Sequence, residues 1–174
     1  MTTTAWSVVE SPIDDLLLTG ADGLLHGIWF SPVEERPGPS FAQVIERAAA
    51  IRDDADPVLV ETARQLGEYF AGDRQAFYLP LHPAGTPFQQ RVWSALQTIP
   101  YGETWSYGEL AAAIGKGPLA SRAVGLANGR NPIPVVIPCH RVIGVDGGLT
   151  GFGGGLPRKR FLLELERPSL FSAG

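Results

Sequence analysis

At His82-Pro-Ala-Gly85 the pattern of this chain changes, and the change limits the folds open to it. Before it, β-rich runs alternate with amphipathic stretches. Trp6-Ser-Val-Val-Glu10, Leu16-Leu-Leu-Thr19 and Leu24-Leu-His-Gly-Ile-Trp-Phe30 read as short strands, with Ala21-Asp-Gly23 a hairpin turn. Ser40 caps a helix that carries Phe41, Val44, Ile45 and Ala48 on one face. Asp56 and Pro57 open a second helix with a stripe at Leu59, Ala63, Leu66 and Phe70. Phe77–Leu81 reads as an edge strand or connector, because Pro80 has no N–H for a ladder. This half is a scaffold, and nothing in it calls for chemistry.

Beyond the linker the chain is punctuated into short helices. Thr86-Pro-Phe-Gln89 is a capping box with proline at the first helical position. Its helix turns Phe88, Val92, Ala95 and Leu96 inward and stops at Pro100-Tyr-Gly102. Ser106-Tyr-Gly-Glu109 is another capping box, opening a helix through Leu110, Ala113 and Ile114. Gly115-Lys-Gly-Pro118 breaks it, and a further helix runs from about Leu119 to Asn128, ending at Gly129. Two short helices around a glycine-containing turn match the helix-turn-helix plan, which many unrelated helix pairs share. The second helix is built of small residues, Ala120, Ala123, Gly125 and Ala127 among them, with Arg122 its one cation. Such a helix either packs tightly on a core with Arg122 in solvent, or presses into a DNA groove with the arginine beside or between bases. Pro157 starts a last helix with Phe161, Leu162 and Leu165 facing inward, and Pro168 stops it. Glu166 near its end is by default a surface carboxylate. The class is therefore α+β: an α/β lobe over 1–81, a linker over 82–86 and a mostly helical lobe over 87–174.

Composition removes several classes. A single cysteine rules out an internal disulfide framework and any multi-cysteine zinc site. No stretch approaches the roughly 20 apolar residues of a membrane span. The N-terminus lacks a basic segment followed by an apolar run, so a cytoplasmic location is expected. The net charge of −4 argues mildly against a nucleic-acid partner but hides a polarity. Residues 1–85 hold five basic and thirteen acidic side chains, whereas residues 86–174 hold nine and five. A basic half fused to an acidic half suits a phosphate binder that docks locally, and equally an ordinary solvated surface.

Asn131-Pro-Ile-Pro-Val-Val-Ile-Pro-Cys-His-Arg-Val142 holds the chemistry. Val135-Val136-Ile137 reads as a short buried strand or extended run, and Pro138 fixes the chain just before Cys139. A lone cysteine is usually an inert buried hydrophobe. Here His140 and Arg141 can favour the thiolate, which is the nucleophile. Neighbours on a strand point to opposite faces, so a turn or a bridging water is needed to couple His140 to Cys139. Seven glycines follow in the twelve residues from Gly144 to Gly155, a flexible loop or a backbone able to approach a flat ligand closely.

At these residues the chain resembles the O6-alkylguanine-DNA alkyltransferases, the methylated-DNA–protein-cysteine methyltransferases. The likeness runs from about Thr86 to Glu166. It rests on Pro-Phe-Gln-Gln-Arg-Val-Trp (87–93), Ile-Pro-Tyr-Gly-Glu-Thr (99–104), Ser-Arg-Ala-Val-Gly (121–125), Asn-Pro (131–132) and Ile-Pro-Cys-His-Arg-Val (137–142). The last hexapeptide is highly specific. The resemblance implies a ribonuclease H-like first lobe and a DNA-binding, alkyl-transferring second one. It implies direct-reversal repair, in which an alkyl group passes once and irreversibly from guanine O6, or thymine O4, in duplex DNA to Cys139. His140 would help generate the thiolate through a water, with Glu166 orienting it. Tyr107 would contact the flipped guanine and the turned phosphate and supply a proton to the leaving base. Arg122 would fill the space of the flipped nucleotide, with Ala123 and Gly125 against the minor groove. Asn131 would brace the turn before the Cys139 strand, while Val142, Phe152 and Gly153 would line the guanine pocket. No cofactor or metal is implied, and the protein would act as a monomer, cooperatively along DNA. Phe152 stands where many members have tyrosine, and Gly153 where some have serine. Trp105 is bulky and close to Tyr107 in sequence.

Three other readings compete. A non-catalytic alkyltransferase-like damage sensor would replace the acceptor cysteine, typically with tryptophan. A cysteine hydrolase would need an oxyanion hole and leaves the Arg122 helix without purpose. A helix-turn-helix regulator would dimerise on symmetric half-sites.

Overall fold

The computed structural model describes residues 2–34, 36–149 and 151–168. It divides into two units, Met1–Pro83 and Ala84–Gly174. Thr150 of the glycine-rich stretch and residues 169–174 of the last segment lie outside the described residues.

In the first unit Asp22 and Gly23 take φ of 53° and 74°, the positive pair of a type I′ turn, whose twist suits two antiparallel strands. These strands are β2 (Leu16–Ala21) and β3 (Leu24–Phe30). β1 (Ala5–Val9) pairs antiparallel on the other edge of β2, and the two-residue β4 (Ile51–Arg52) pairs parallel with β1. The order is β3-β2-β1-β4, and the central β2 is buried along its whole length. α1 (Phe41–Arg47) starts at a Ser40–Gln43 capping box. α2 (Pro57–Phe70) starts at Asp56, whose carboxylate accepts from the N–H groups of Val58 and Leu59.

The buried face of α2 is rotated from the expected stripe. Val58, Leu59, Thr62, Gln65, Leu66 and Tyr69 are buried, while Ala63 and Phe70 are only partly covered. The polar members are satisfied: Thr62 Oγ1 donates to the Val58 carbonyl at 2.7 Å, and the Gln65 amide pairs with both backbone groups of Tyr78. The segment Phe77–Leu81 is a connector, not a full strand. It flanks Leu25, whose N–H donates to the Pro80 carbonyl, so the proline only accepts.

The second unit opens with α3 (Pro87–Leu96), capped by Thr86 and Gln89. Val92, Trp93 and Leu96 are its buried residues; Phe88 and Ala95 are half-buried. The Trp93 indole donates to the Ala127 carbonyl at 2.9 Å, giving a large side chain the one polar partner that it needs. α4 (Tyr107–Ala113) starts at the Ser106–Glu109 capping box. It ends in a Schellman motif with Gly115 at φ 75°, the Lys116 N–H reaching the Ala111 carbonyl. A 3-10 turn over Pro118–Ala120 leads into α5 (Ser121–Gly129), so the α-helix begins later than the sequence pattern places it. α3, α4 and α5 pack on one another.

β5 (Trp105–Ser106) pairs parallel with β6 (Val142–Ile143), and α6 (Leu156–Glu166) closes the described unit. The inward face of α6 differs from the expected one: Arg158, Lys159, Leu162, Leu163 and Glu166 are buried, and Phe161 and Leu165 are half-buried. Three of the nine basic residues of this half (Arg141, Arg158 and Lys159) are therefore interior, and its positive surface rests on the other six.

Val135-Val136-Ile137 is not a strand. The Ile137 N–H donates to the Ile133 carbonyl at 2.9 Å, and Val135 sits at φ 72°, closing the run into a buried turn. Asn131 dictates that turn. Its Oδ1 accepts from the Ile133 N–H at 3.0 Å and its Nδ2 donates to the Ile137 carbonyl at 2.7 Å. Burial of Ile133, Val135 and Ile137 offsets the cost of a β-branched residue in the left-handed region.

Candidate active site

Pro138, at φ −81° and ψ 65°, forms an inverse γ-turn in which the Cys139 N–H donates to the Ile137 carbonyl at 2.8 Å. A 3-10 turn, Cys139–Arg141, follows immediately. The expected Cys139 strand is thus replaced by two consecutive tight turns, because proline fixes the torsion and Asn131 has already bent the chain. Cys139 is 4 % exposed.

The neighbours of Cys139 lie in a buried charged network. His140 Nε2 is 2.7 Å from Glu166 Oε2. Arg141 donates to the same carboxylate through Nε (2.8 Å) and Nη2 (3.1 Å), and to the Ile99 carbonyl through Nη1 (2.7 Å). Its guanidinium lies over the Tyr101 ring, 5.8 Å from the centroid. The Gly102 N–H also points at Glu166, at 3.4 Å. Glu166 is therefore an interior carboxylate, not a surface one. Arg141 is turned onto Glu166, away from any direct part in activating sulfur.

These contacts decide the protonation states. Burial alone would raise Glu166, but the His140 ring and the Arg141 guanidinium outweigh it and hold the carboxyl well below the usual range. Arg141 supplies the balancing positive charge, so His140 need not. Desolvation pushes the His140 pKa down despite Glu166 beside it, leaving a neutral ring. Desolvation also pushes the Cys139 thiol up, to about 11, against the Asn131 amide, the Lys159 charge and the backbone N–H groups of Cys139 and His140. The resting sulfur is a protonated, shielded thiol.

Two residues here escaped the sequence reading. Lys159 is fully buried, donates to the Val142 carbonyl at 2.6 Å, and is pushed down to about 8 by burial. It lies two helical turns before Glu166, and that spacing was the available signal. Asn128 is buried on the inner side of α5, and its Nδ2 donates to the Cys139 carbonyl at 3.4 Å. Nothing in its sequence context marks it, beyond its position one turn after Val124.

The other candidate residues fall into two groups. Val142 and Phe152 are buried, Asn131 is half-buried behind the cysteine turn, and Gly153 is exposed. Of the described glycines in the run after Ile143, only Gly147 and Gly155 use positive φ; the first part is an ordered turn in which the Gly144 N–H donates to the Gly148 carbonyl. Tyr107 is the first residue of α4, and its ring lies so close to Gly125 that a Cβ there would be 3.4 Å away. Arg122 and Ala123 are exposed on the outer side of α5, together with Leu126 at 62 %. α5 thus shows a small-residue face with one cation to solvent and touches the nucleophile's backbone through Asn128. Among the described residues no group of three or more His, Cys, Asp or Glu side chains could hold a metal ion. No helix there is long and apolar enough to cross a membrane.

The model of the 6-O-methylguanine DNA methyltransferase DNA-binding domain matches residues 87–168, and that of the same family's ribonuclease-like domain matches residues 4–83. The chain belongs to this family. The methylated-DNA–protein-cysteine methyltransferase of Mycolicibacterium paratuberculosis is 51 % identical over 162 residues, covering 93 % of this chain and 92 % of the relative. That of Methanosarcina barkeri is 49 % identical over 166 residues, covering 95 % and 98 %. The crystal structure of Mycobacterium tuberculosis O6-methylguanine methyltransferase superposes with a TM-score of 0.81 at 46 % identity, covering 97 % of this chain and 94 % of that one. A DNA complex of the Mycobacterium tuberculosis protein superposes equally well, covering 94 % and 93 %. The α+β architecture is shared along essentially the whole length.

Proposed function

We propose that this protein is a methylated-DNA–protein-cysteine methyltransferase that repairs O6-alkylguanine in duplex DNA, in a single turnover per molecule. One observation carries the reading. The only cysteine of the chain is buried, directly precedes the His140–Glu166–Arg141 network in sequence, and has its backbone carbonyl tied by Asn128 to a helix with an exposed Arg122 and small-residue face.

Cys139 is the acceptor. Its proton leaves through a water to His140 Nδ1, and Glu166 stabilises the imidazolium that results. The sulfur lone pair then forms an S–C bond to the alkyl carbon as the C–O6 bond breaks, and Tyr107 gives the departing guanine its proton. The product thioether has no good leaving group, so water cannot regenerate the thiol. Because Cys139 is shielded, the base must come to it. Flipping costs a few kcal/mol, and less for a damaged, weakly paired guanine. Arg122 occupies the vacated stack, while Ala123 and Gly125 let α5 approach the minor groove. Asn131, Val142, Phe152 and Gly153 line the base pocket, and O4-alkylthymine fits the same chemistry. The protein works as a monomer in the cytoplasm, loads cooperatively along DNA and needs no cofactor.

The test is intact-protein mass after mixing with a duplex that contains one O6-methylguanine, beside an unmodified duplex and the Cys139→Ser variant. A gain of one methylene mass, only with damaged DNA and only with Cys139 present, is expected. Tight binding with unchanged mass would make this chain a damage sensor instead.

A further inference from the structure

Among the described residues, two buried side-chain nitrogen or oxygen atoms have no hydrogen-bond partner: Nδ1 of His140 and Oδ1 of Asn128. Both residues adjoin the Cys139 backbone. His140 follows it in the chain, and Asn128 Nδ2 donates to its carbonyl. Their chemical characters can be fixed. Only the NH2 of an amide donates, so the group facing the Cys139 carbonyl is Nδ2 and the orphan is an oxygen acceptor. His140 Nε2 faces a carboxylate that Arg141 holds anionic, so Nε2 carries the proton and Nδ1 offers a lone pair. The site therefore presents two buried acceptors, each wanting a hydrogen, beside a thiol that must give one up.

A single water in reach of the three groups would meet all three demands. It has two hydrogens to give and a lone pair to receive with, and buried waters typically make about three hydrogen bonds to polar groups of this kind. We propose that Asn128 is a positioning residue for the nucleophile: its Oδ1 takes one hydrogen of a buried water whose other hydrogen points at His140 Nδ1, which turns the water's lone pair toward the Cys139 thiol. This deepens the proposed transfer reaction and rests on the relay from Cys139 to His140.

The step balances. The S–H bond breaks and its proton passes to the water oxygen, while the water's second hydrogen passes to Nδ1. Thiol plus imidazole becomes thiolate plus imidazolium. The hydrogen held by Asn128 does not move; it prevents the water from rotating its lone pair away from sulfur. The charged groups facing this pair are Glu166 and Arg141 toward His140, and Lys159 toward both His140 and Cys139. The Asn131 amide faces the sulfur as a neutral donor. Lys159 is the rival proton acceptor, and its own hydrogen bond to the Val142 carbonyl is the argument against it.

The experiment follows the rate of Cys139 alkylation by iodoacetamide against pH, and in parallel the reaction with free O6-benzylguanine. It compares wild type, Asn128→Leu, Asn128→Ser and Lys159→Met. Leucine keeps the shape of asparagine and removes both the Oδ1 acceptor and the Nδ2 donor to the Cys139 carbonyl; serine restores a shorter acceptor. In Asn128→Leu the profile is expected to move about one pH unit alkaline, a roughly tenfold loss at pH 7.5. Asn128→Ser should fall between it and wild type, and affinity for undamaged duplex should stay constant. A merely structural Asn128 predicts otherwise. Losing the Nδ2 bond to the Cys139 carbonyl then lowers Tm but leaves the pH profile in place. That result overturns the proposal, as does a profile that moves with Lys159→Met and not with Asn128→Leu. If Asn128→Leu fails to fold, a wild-type profile in Asn128→Ala, which also lacks the acceptor, overturns it as well. The iodoacetamide arm involves no alkylguanine. A wild-type protein that takes no methyl group from DNA therefore refutes the proposed function, while the profile still decides the role of Asn128.

Discussion

Replacing Glu166 with glutamine removes one charge and almost no volume, and its consequences follow from the three groups around it. The carboxylate accepts two bonds from Arg141, one contact from His140 and one from the Gly102 N–H, all inside the protein. In Glu166→Gln the Arg141 guanidinium stays buried without its counter-ion. Leaving one partner of a buried pair uncompensated costs about 3–5 kcal/mol. For a chain of this size each kcal/mol shifts Tm by roughly 2–4 °C, so a fall of about 6–20 °C is expected. Arg141→Met should cost a similar amount, because it strands the anion and also leaves the Ile99 carbonyl unpaired.

The double variant separates pair energy from single-group effects. Arg141→Met with Glu166→Gln strands no charge, and the remaining cost is the unpaired Ile99 carbonyl, about 1–3 kcal/mol. A coupling of roughly 3–9 kcal/mol, the two single losses less that of the double variant, should therefore appear in a cycle measured by urea unfolding at pH 7. Double-variant losses that add to within about 0.5 kcal/mol would refute the view that the two charges compensate each other. The single Arg141→Met variant has a second signature. Glu166, deprived of its guanidinium, should recruit a proton onto His140 and raise its pKa. A raised histidine pKa contributes stability below the unfolded value and loses it as pH rises through the folded value. The defect of Arg141→Met should thus be smaller at pH 5.5 than at pH 8, and a defect independent of pH would contradict the charge assignment.

Wild-type stability should fall as pH drops below the ordinary glutamate range near 4.5, since the depressed Glu166 carboxyl contributes stability above that range and loses it on protonation; the acid-induced loss should be smaller in the double variant, measured by urea midpoints from pH 3 to 7. Ala49→Gly should stabilise the first unit by about 0.5–1 kcal/mol, because Ala49 closes α1 in a Schellman motif at φ 48° where glycine suffers no Cβ clash; a lower thermal midpoint would contradict this. Trp93→Phe should cost roughly 1–3 kcal/mol by orphaning the buried Ala127 carbonyl and shrinking the core, and a change under 0.5 kcal/mol would show that the indole bond contributes nothing. Arg122→Ala should slow repair in duplex DNA far more than reaction with free O6-benzylguanine, and equal losses on both substrates would remove its role in flipping.

Helix starts were legible because their causes are local. Ser40, Asp56, Thr86 and Ser106 each bond to N–H groups within three residues, and those bonds can be read from adjacent letters. Which face a helix buries was less legible, because distant partners change what can be buried. Gln65 goes inside α2 only because the backbone of Tyr78 accepts and donates to its amide. Arg158, Lys159 and Glu166 face inward on α6, displacing Phe161 and Leu165 from the expected stripe, because carbonyls and charges from other segments meet them. A hydrophobicity pattern prices these side chains as exposed. The run Val135-Val136-Ile137 failed for a related reason. Its β propensity is real, but Asn131 takes the hydrogen bonds that would have gone to a ladder and closes a turn instead.

The same logic explains which parts of the site a sequence can show. Cys139, His140 and Arg141 are adjacent and carry the specific motif, so they stand out together. Their partners come from positions far along the chain: Glu166 from the end of α6, Ile99 from the turn after α3, Asn128 from the last turn of α5. Of these, Asn128 bears most directly on mechanism, because the helix that exposes Arg122 and Ala123 on one side holds the nucleophile's carbonyl from the other. If DNA seats against the outer face of α5 as proposed, it bears on an element one hydrogen bond from the sulfur-bearing residue. Under the proposed function, binding and nucleophile positioning then share one helix. An Arg122→Ala effect confined to duplex substrates, beside an Asn128 effect common to duplex and free base, would separate the two faces of that helix.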